Sequence, residues 1–353
     1  MEKGVILKIC KLDMHQKSNN SLFFVTIISV ILFAKPICLN ADSINEKVRI
    51  KTADTELYAD IKGNDRNAPI LLYLHGGPAN PFGILTFLAY SGPQLEEHFV
   101  VVYLQQRGIM KSAAIPDSAH TLKNYVSDTH NVVQYIKKRF INQEIYLFGH
   151  SWGGLLAYLY LLEHDGDVMK LVTACAPFSV RRIMISRYEM TLQWAKETDN
   201  KEAIKELSDI NILEVSESKN VFEVMSKWSS EAYGGMMRSI SRKRIDDAID
   251  DEHLIIKWLN ESKIVGDIMF ETLMNIDITE KVKNLQTPLL VIAGEYDVDS
   301  PWEELKKDIE NYGGEKTFLL LKNSHHLVYV DQEKQFVEAV VSFLTNKDLE
   351  NFD

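Results

Sequence analysis

Short apolar runs recur along this chain, and their patterns distinguish surface strands from buried ones. Segments 47–51 and 56–61 alternate apolar and polar residues on either side of Ala53-Asp54-Thr55, which predicts a surface hairpin. The later runs are apolar throughout, as expected of strands that are covered on both faces. They predict six further strands: Ile70–Leu74, Phe99–Leu104, Glu144–Phe148, Lys170–Ala174, Pro288–Ala293 and Lys316–Leu321.

Helical spacing fills several of the intervals between these strands. The helices predicted there are Thr121–Phe140, Trp152–His164, Trp302–Tyr312 and Gln332–Leu344. Because strands and helices alternate, we expect the α/β class, with a mostly parallel central sheet and helices on both of its faces.

One long segment, residues 178–283, interrupts this alternation, because it has helical spacing and no run typical of a buried strand. We predict a helical lid inserted after the sixth strand, so that residues 42–177 and 284–353 form the core. Its predicted helices are Ile183–Lys196, Lys201–Leu207, Val221–Trp228 and Arg242–Ile256. Most of its methionines and tryptophans should pack the lid, and a few should face an apolar pocket: Met184, Met190, Trp194, Met225, Trp228, Met236, Met237, Trp258, Met269 and Met274.

The first 41 residues have the order of features found in a secretory signal peptide. Four lysines precede the uncharged run Leu22–Ala34, and Ala41 offers a small residue for cleavage. The alternatives are an uncleaved membrane anchor and a buried core helix, although the run is shorter than the roughly 20 residues that span a bilayer. We expect an exported protein of the periplasm or cell envelope, with a membrane-anchored protein as the alternative.

Composition narrows the choice of partner. The chain has 39 Lys and Arg against 50 Asp and Glu, a net charge of −11, so it lacks the basic surface that nucleic acids require. A small molecule or a short peptide is therefore the expected substrate. Of the three cysteines, Cys10 and Cys38 lie in the leader and Cys175 stands alone, which predicts neither an internal disulfide nor a cysteine metal site.

The sequence Gly149-His150-Ser151-Trp152-Gly153-Gly154 lies between a predicted strand and a predicted helix. A Gly-x-Ser-x-Gly motif in this setting forms a tight turn that exposes the serine hydroxyl, and small residues on either side avoid collisions. The helix that starts here also favours the anion formed during acyl transfer. We therefore predict that Ser151 is the nucleophile of a serine hydrolase.

A serine nucleophile needs a general base and a group that orients the base. Asp297 follows the strand 288–293, and His326 follows the strand 316–321, so both should lie at the same sheet edge as the serine. The order Ser, Asp, His is that of the strand-turn-helix hydrolases. Asp299 and His325 are the alternatives to these two residues.

Two backbone N–H groups should hold the oxyanion. Trp152, the residue after the nucleophile, supplies one, and Gly77 in the loop Leu74-His75-Gly76-Gly77-Pro78 supplies the other. His75 and His150 flank this region, and we interpret both as structural hydrogen-bonding residues.

Three motifs together resemble the α/β-hydrolase superfamily and, within it, the proline iminopeptidase-like branch: His75-Gly-Gly-Pro, Gln106-Arg107-Gly108 with Lys111-Ser112 behind it, and Gly149-His-Ser-Trp-Gly-Gly. The likeness runs from about residue 47 to residue 345 and is weak in the lid. It implies removal of an N-terminal residue, preferably proline, from short peptides. It also implies acidic lid residues that hold the substrate ammonium, for which Glu231 and Glu189 are candidates.

The sequence departs from the branch pattern at Ala79, Gln105 and His150, where the branch has Gly, Asp and Gly. These departures leave the predicted triad intact and weaken the assignment of substrate. We expect a serine hydrolase that forms an acyl-enzyme and needs no cofactor or metal, most simply an aminopeptidase of this type. A carboxylesterase acting on small esters and a non-catalytic binding protein on the same fold are the alternatives.

Overall fold

The computed structural model describes residues 42–346 except residues 79, 215–217 and 235–251. Of residues 219 and 252–262 it describes the backbone and not the side chains. The predicted leader, residues 1–41, therefore lies outside the described residues, as do Met236, Met237, residues 242–251 of the fourth predicted lid helix and the Trp258 side chain. Within the described part of the chain, no helix has the length and apolar character needed to cross a membrane.

Eight strands form one sheet in the order β1-β2-β4-β3-β5-β6-β7-β8. β1 pairs antiparallel with β2, β2 pairs antiparallel with β4, and all other neighbours are parallel. The strands are β1 Ile44–Lys51, β2 Glu56–Gly63, β3 Ile70–Leu74, β4 Val100–Gln105, β5 Ile145–His150, β6 Lys170–Ala174, β7 Leu289–Gly294 and β8 Lys316–Leu321. The hairpin and the six further strands predicted from the pattern are confirmed. The predicted burial is wrong for two of them: β2 is mostly buried because it pairs with β4 as well as with β1, and β8 is only partly buried because it lies at the edge of the sheet.

The described α-helices are α1 Pro81–Ala89, α2 Ser91–Leu95, α3 Leu122–Arg139, α4 Trp152–His164, α5 Val180–Glu197, α6 Lys201–Ser208, α7 Lys219–Tyr233, α8 Glu252–Met274, α9 Trp302–Glu310, α10 Val328–Asp331 and α11 Glu333–Leu344. The four predicted core helices are present. α1, α2 and α10 were not predicted, because α1 is apolar on nearly all sides and the other two span five and four residues.

The central strands are apolar throughout because both of their faces are covered. In β3, Ile70, Leu72 and Leu74 pack on one side of the sheet. Leu71 and Tyr73 pack on the other side, and all five residues are fully buried. The period of two along a strand thus assigns consecutive apolar residues to two separate cores.

Helix termini follow local rules. The Thr121 hydroxyl accepts a hydrogen bond from the Asn124 N–H at 3.2 Å and so caps α3. The last turn of the same helix carries three basic residues, 137–139, which suit the negative end of the helix dipole.

The carboxyl ends of the parallel strands meet at one edge of the sheet. Leu74 of β3 lies opposite Gly149 of β5, and His150 lies opposite Ala174 of β6. In parallel α/β sheets this edge is where ligands bind, because the loops that leave it carry the functional side chains.

Residues 178–283, which we call the helical insertion, contain α5 to α8 and lie between β6 and β7. Their two ends are joined by a hydrogen bond from the Ile278 N–H to the Phe178 carbonyl at 2.9 Å and by a bridge between Ser179 and Asp277. Trp228 packs against Ala195 and Leu207, which ties α7 to α5 and α6. The predicted fold class is confirmed, with helices where the sequence lost its strand pattern.

Candidate active site

Ser151 lies at the turn between β5 and α4. Its backbone angles are φ 53° and ψ −121°, in a region that residues other than glycine rarely adopt. The turn is held by a hydrogen bond from the Ser151 N–H to the Ala174 carbonyl at 2.8 Å, and the Ser151 carbonyl accepts from the Gly154 N–H at 2.9 Å. The chain therefore presents this hydroxyl on a fixed and strained backbone.

Three glycines around Ser151 are required by close backbone approach. A Cβ on Gly149 would lie 2.5 Å from the Gly153 carbonyl oxygen, and one on Gly153 would lie 2.0 Å from the Leu74 carbonyl oxygen. A Cβ on Gly154 would lie 2.4 Å from the Ala176 Cβ. The motif thus lets α4 pack directly against the ends of β3 and β6.

His326 and Asp297 form a buried pair at the ends of β8 and β7. The His326 Nδ1 is 2.9 Å from the Asp297 Oδ2, and the other carboxylate oxygen accepts hydrogen bonds from the Asp299 and Ser300 N–H groups at 2.8 and 3.0 Å. Burial alone would lower the pKa of His326, but the Asp297 carboxylate raises it above the ordinary histidine value. The pairing leaves Nε2 as the ring nitrogen available to a neighbouring group.

The two alternatives raised by the sequence have other partners. The backbone N–H and the Nδ1 of His325 lie 2.8 and 3.2 Å from the Asp331 Oδ2, away from Asp297. The Asp299 carboxylate forms an ion pair with the Arg187 guanidinium at 2.7 Å. Of these four residues, the structure therefore brings Asp297 and His326 together, and His326 lines the same cavity as Ser151.

Cys175 follows β6 and lies behind this pair. Its sulfur and the ligating atoms of Asp297 and His326 all lie within 4.8 Å of one another, and its carbonyl accepts a hydrogen bond from the Ser300 hydroxyl at 2.9 Å. Burial and the neighbouring Asp297 raise the pKa of the thiol well above its usual value, so it remains protonated. Sequence reasoning considered this cysteine only for disulfides and metals, and its place beside the candidate triad follows from the fold alone.

His75 and His150 both contact backbone carbonyls. The His75 Nε2 accepts from the Gln106 N–H at 3.3 Å, so its Nδ1 carries the proton and donates to the Gly76 carbonyl at 2.8 Å. The His150 Nε2 lies 3.0 Å from the His326 carbonyl oxygen. Burial lowers the pKa of His75 to about 4 and that of His150 well below its ordinary value, so both rings are neutral at neutral pH.

The predicted oxyanion donors lie beside the serine. Gly77, Trp152, Ser151 and His326 all line one cavity of about 640 Å³. Gly77 has a φ of 142°, a conformation suited to glycine, and Trp152 is the first residue of α4, whose N–H has no partner within its own helix.

Gln106 links the loop that follows β3 to the first residue of α4. Its amide oxygen accepts from the Trp152 indole N–H at 2.9 Å, and its amide nitrogen donates to the His75 carbonyl at 2.9 Å. The next residue, Arg107, is fully buried and pairs with Asp128 at 2.7 Å and Asp54 at 3.1 Å. The Gln-Arg-Gly motif therefore holds together the loops that border the site.

The helical insertion supplies much of the cavity wall. Its apolar lining consists of Val180, Ile183, Met184, Phe222, Phe270, Leu273 and Met274. Met184 and Met274 were among the residues that the sequence offered for an apolar pocket. Met225 and Met269 are instead buried in the main core, and Trp228 packs within the insertion.

Charged side chains of the cavity differ from those that the sequence suggested. Arg187, Glu223, Lys263, Asp267 and Asp299 line it. Glu189 and Glu231 are exposed and lie outside the lining, so the structure does not bring these two candidates to the site. Propensity and charge could not separate them from Glu223 and Asp267, because the separation depends on which face of each helix turns toward Ser151.

Phe222, Phe270 and Arg187 were missed as site residues, although a sequence signal exists. Val180, Ile183, Met184 and Arg187 recur at positions i, i+3, i+4 and i+7, so they share one face of α5. Phe222 and Phe270 then meet edge to face, with ring centroids 5.5 Å apart, and link α7 to α8. An arginine on an otherwise apolar helical face indicates a buried polar or charged partner, and this was the signal that the sequence offered.

A mostly parallel sheet that presents a serine on a strand-to-helix turn, with an aspartate and a histidine after later strands, defines the α/β-hydrolase class of serine hydrolases. The chain belongs to the serine aminopeptidase family S33, whose family model matches residues 94–333. The resemblance carried by the three sequence motifs is thereby confirmed.

Two relatives of the chain are peptidases by name. The chain is 34% identical over 121 residues to a probable aminopeptidase, YbaC, of Bacillus subtilis, a match that covers 34% of this chain and 37% of that protein. It is 23% identical over 314 residues to a proline iminopeptidase of Lactobacillus crispatus, covering 83% of this chain and 96% of that one.

Solved structures share the fold and include an esterase. A proline iminopeptidase from Mycobacterium smegmatis has a TM-score of 0.64 at 16% identity and covers 85% of this chain and 98% of its own. An esterase from Exiguobacterium antarcticum has a TM-score of 0.57 at 22% identity and covers 85% of this chain and 100% of its own. At these identities the likeness establishes the fold and leaves the substrate open.

Proposed function

We propose that this hydrolase removes an N-terminal residue, preferably proline, from short peptides through an acyl-enzyme on Ser151. The observation that carries the proposal is the buried His326–Asp297 hydrogen bond of 2.9 Å, on a cavity that His326 shares with Ser151. Gly77 and Trp152 border the same cavity, as two oxyanion donors should.

In the proposed reaction, the Ser151 oxygen attacks the carbonyl carbon while His326 Nε2 takes the hydroxyl proton. Asp297 holds the ring and stabilises the imidazolium, and the N–H groups of Gly77 and Trp152 hold the oxyanion. The C–N bond then breaks, and the leaving amine takes the proton from His326. A water molecule attacks the resulting ester with His326 as base, which releases the acid and returns the proton to Ser151.

The ammonium of the substrate has two acidic candidates in the cavity. Glu223 of α7 and Asp267 of α8 line it from the helical insertion, the part of the chain in which the resemblance places acidic residues for this role. A cavity of about 640 Å³ has the size of sites that enclose small molecules, which suits one or two residues of a peptide. We propose that the insertion acts as the lid of this site and that these two carboxylates select a free amino terminus.

A comparison of two substrates tests the proposal. Prolyl-arylamide and a short p-nitrophenyl ester are assayed with the wild type, Glu223→Gln and Asp267→Asn. We expect the arylamide to be preferred, and KM for it to rise by roughly tenfold in a variant that has lost an ammonium contact, with little change for the uncharged ester.

Glu189→Gln and Glu231→Gln are matched controls, because they remove the same charge from exposed positions outside the cavity. An increase in KM for the controls alone would restore the residues that the sequence suggested. A strong preference for the ester in the wild type would sink the peptidase proposal.

A carboxylesterase is the second candidate, favoured by the apolar wall of the cavity and by the structural likeness to an esterase. The same substrate pair decides between the two. A binding protein without catalysis is tested with a fluorophosphonate probe, which should label the wild type and leave Ser151→Ala unlabelled.

We also propose that the protein is exported, on the signal-like pattern of residues 1–41. The intact mass of the protein recovered from the native cell envelope measures cleavage directly. A mass that retains the leader would favour the anchored form instead.

A further inference from the structure

His130, His164 and Asp167 form a cluster at the opposite end of α4 from Ser151. His130 lies on α3, His164 is the last residue of α4, and Asp167 follows in the next loop. Since Ser151 caps the amino end of the same 13-residue helix, the cluster lies roughly 20 Å from the candidate active site. Nothing in the proposed reaction uses these three side chains.

Their donor atoms are already close together. One ligating atom from each residue can be chosen so that all three lie within 4.8 Å of one another. The two imidazole rings stack with centroids 4.0 Å apart and planes inclined by 17°, so one ring must turn before a nitrogen of each ring can face the same ion. The His130 Nδ1 and the Asp167 Oδ2 are 3.5 Å apart. Two ligands on one tetrahedral zinc ion, with bonds of about 2.1 Å, are separated by roughly 3.4 Å, so this pair needs little adjustment.

The His130 Nδ1 is a second observation that points to a ligand. Among the described residues it is one of four side-chain polar atoms that are buried and have no hydrogen-bond partner, although the His130 side chain as a whole is partly exposed. Its 3.5 Å contact with Asp167 is longer than N–H···O hydrogen bonds usually are. A buried nitrogen without a partner is unfavourable unless another group satisfies it. A cation between the ring and the carboxylate would do so.

Two further contacts hold the Asp167 carboxylate in place. The Asp167 carboxylate also accepts from the Tyr160 hydroxyl at 2.8 Å and from the Lys137 ammonium at 2.7 Å, which fix its orientation as outer contacts do in metal sites.

We propose that His130, His164 and Asp167 form a surface site for a divalent transition-metal ion, for which zinc is the best match. Two imidazole nitrogens and one carboxylate oxygen are ligands for zinc, and they disfavour magnesium and calcium, which prefer oxygen. Water would complete the coordination, because His130 and His164 are partly exposed. The site would hold α3 to the end of α4.

Isothermal titration calorimetry, in which zinc chloride is added to the metal-free, full-length protein, tests the site. We expect the wild type to bind one zinc ion per chain at the cluster. The affinity for zinc should fall roughly tenfold or more in Asp167→Asn, and zinc binding at the cluster should be lost in the His130→Ala/His164→Ala variant. Thermal unfolding of each variant checks the fold, and Asp167→Asn, which keeps both rings, decides the question if the double variant does not fold.

Two controls separate this site from other histidines. His98→Ala changes an exposed histidine outside the cluster and should bind zinc like the wild type. His326→Ala removes the other group of possible ligands, Cys175, Asp297 and His326, and should also retain the site. Equal zinc affinity in the wild type and the cluster variants, or loss of binding in His326→Ala, would overturn the proposal.

Discussion

Ser151 combines a reactive position with a strained backbone, and only the first depends on its side chain. Its φ of 53° places it in a region that costs roughly 1–3 kcal/mol for a residue other than glycine, whichever side chain it carries. Replacing the hydroxyl therefore separates chemistry from folding.

We predict that Ser151→Ala lowers kcat by about 10⁴-fold or more, because no nucleophile remains. Its midpoint of urea unfolding should stay close to that of the wild type. Initial rates on the arylamide and the ester, together with urea titrations, measure both quantities. A variant that keeps more than a few per cent of the wild-type rate would contradict the assigned role.

Charge around His326 should be visible in the pH profile. The Asp299 carboxylate raises the pKa of His326, and the Arg187 guanidinium lowers it, so the pair acts on the ring in opposite directions. In the proposed reaction His326 acts as a base through its neutral ring, so the rate should rise with pH through this pKa.

We predict that Asp299→Asn moves the acid limb of kcat/KM to lower pH, and that Arg187→Met moves it to higher pH. Profiles of kcat/KM measured between about pH 4 and 9 check both signs. Shifts of both variants in one direction would indicate that breaking the 2.7 Å ion pair displaces the loop of Asp297, and would reject a purely electrostatic effect.

At the scale of elements, the turn between β5 and α4 depends on glycine for packing as well as conformation. A Cβ on Gly153 would lie 2.0 Å from the Leu74 carbonyl oxygen, and backbone atoms cannot rotate away as a side chain can. β3 and α4 would have to separate.

We predict that Gly153→Ala destabilises the protein by about 3 kcal/mol or more, measured as the free energy of unfolding in urea. Gly266→Ala is the matched control, since a Cβ at this position in α8 meets nothing within 4 Å. The control should be neutral or stabilising by up to about 1 kcal/mol, because alanine is the better helix former. Similar losses in both variants would contradict the packing argument.

Elements with a clear hydrophobic period were predicted well from the sequence. β3, β5 and β7 appear as apolar runs because each is covered on both faces, and α4 has its predicted bounds. α1 was missed for the opposite reason: residues 81–89 are apolar on nearly every side, so they show no amphipathic period.

At the scale of the whole molecule, burial of neutral histidines couples stability to pH. His75 has a folded pKa of about 4 against an ordinary value of 6.5. The unfolded chain binds more protons between these values, so the stabilising contribution is complete above pH 6.5 and is lost as the pH falls toward 4.

We predict that the free energy of unfolding falls between pH 7 and pH 5, with His75 contributing about 2 kcal/mol of the loss. His75→Asn, which cannot titrate, should show a correspondingly smaller fall, and His98→Asn at an exposed position should show the wild-type fall. Urea titrations at the two pH values measure this, and parallel pH dependence in all three proteins would refute it.

The sequence by itself determined the α/β class, the order of the strands along the chain and the glycine-rich turn that carries Ser151. These features are local or periodic, because a strand's burial, a tight turn and a strand end are all encoded by neighbouring residues. The choice of Asp297 over Asp299 also came from position after a strand, and the 2.9 Å contact with His326 agrees with it.

Only the tertiary structure decided which charged side chains of the helical insertion face the cavity. It placed Glu223 and Asp267 in the lining of the cavity and left Glu189 and Glu231 outside that lining. It also brought Cys175 to the buried pair and His130 to His164. The physical reason is that a helix's period defines its faces but not their neighbours. The neighbours are set by packing between segments far apart in the chain.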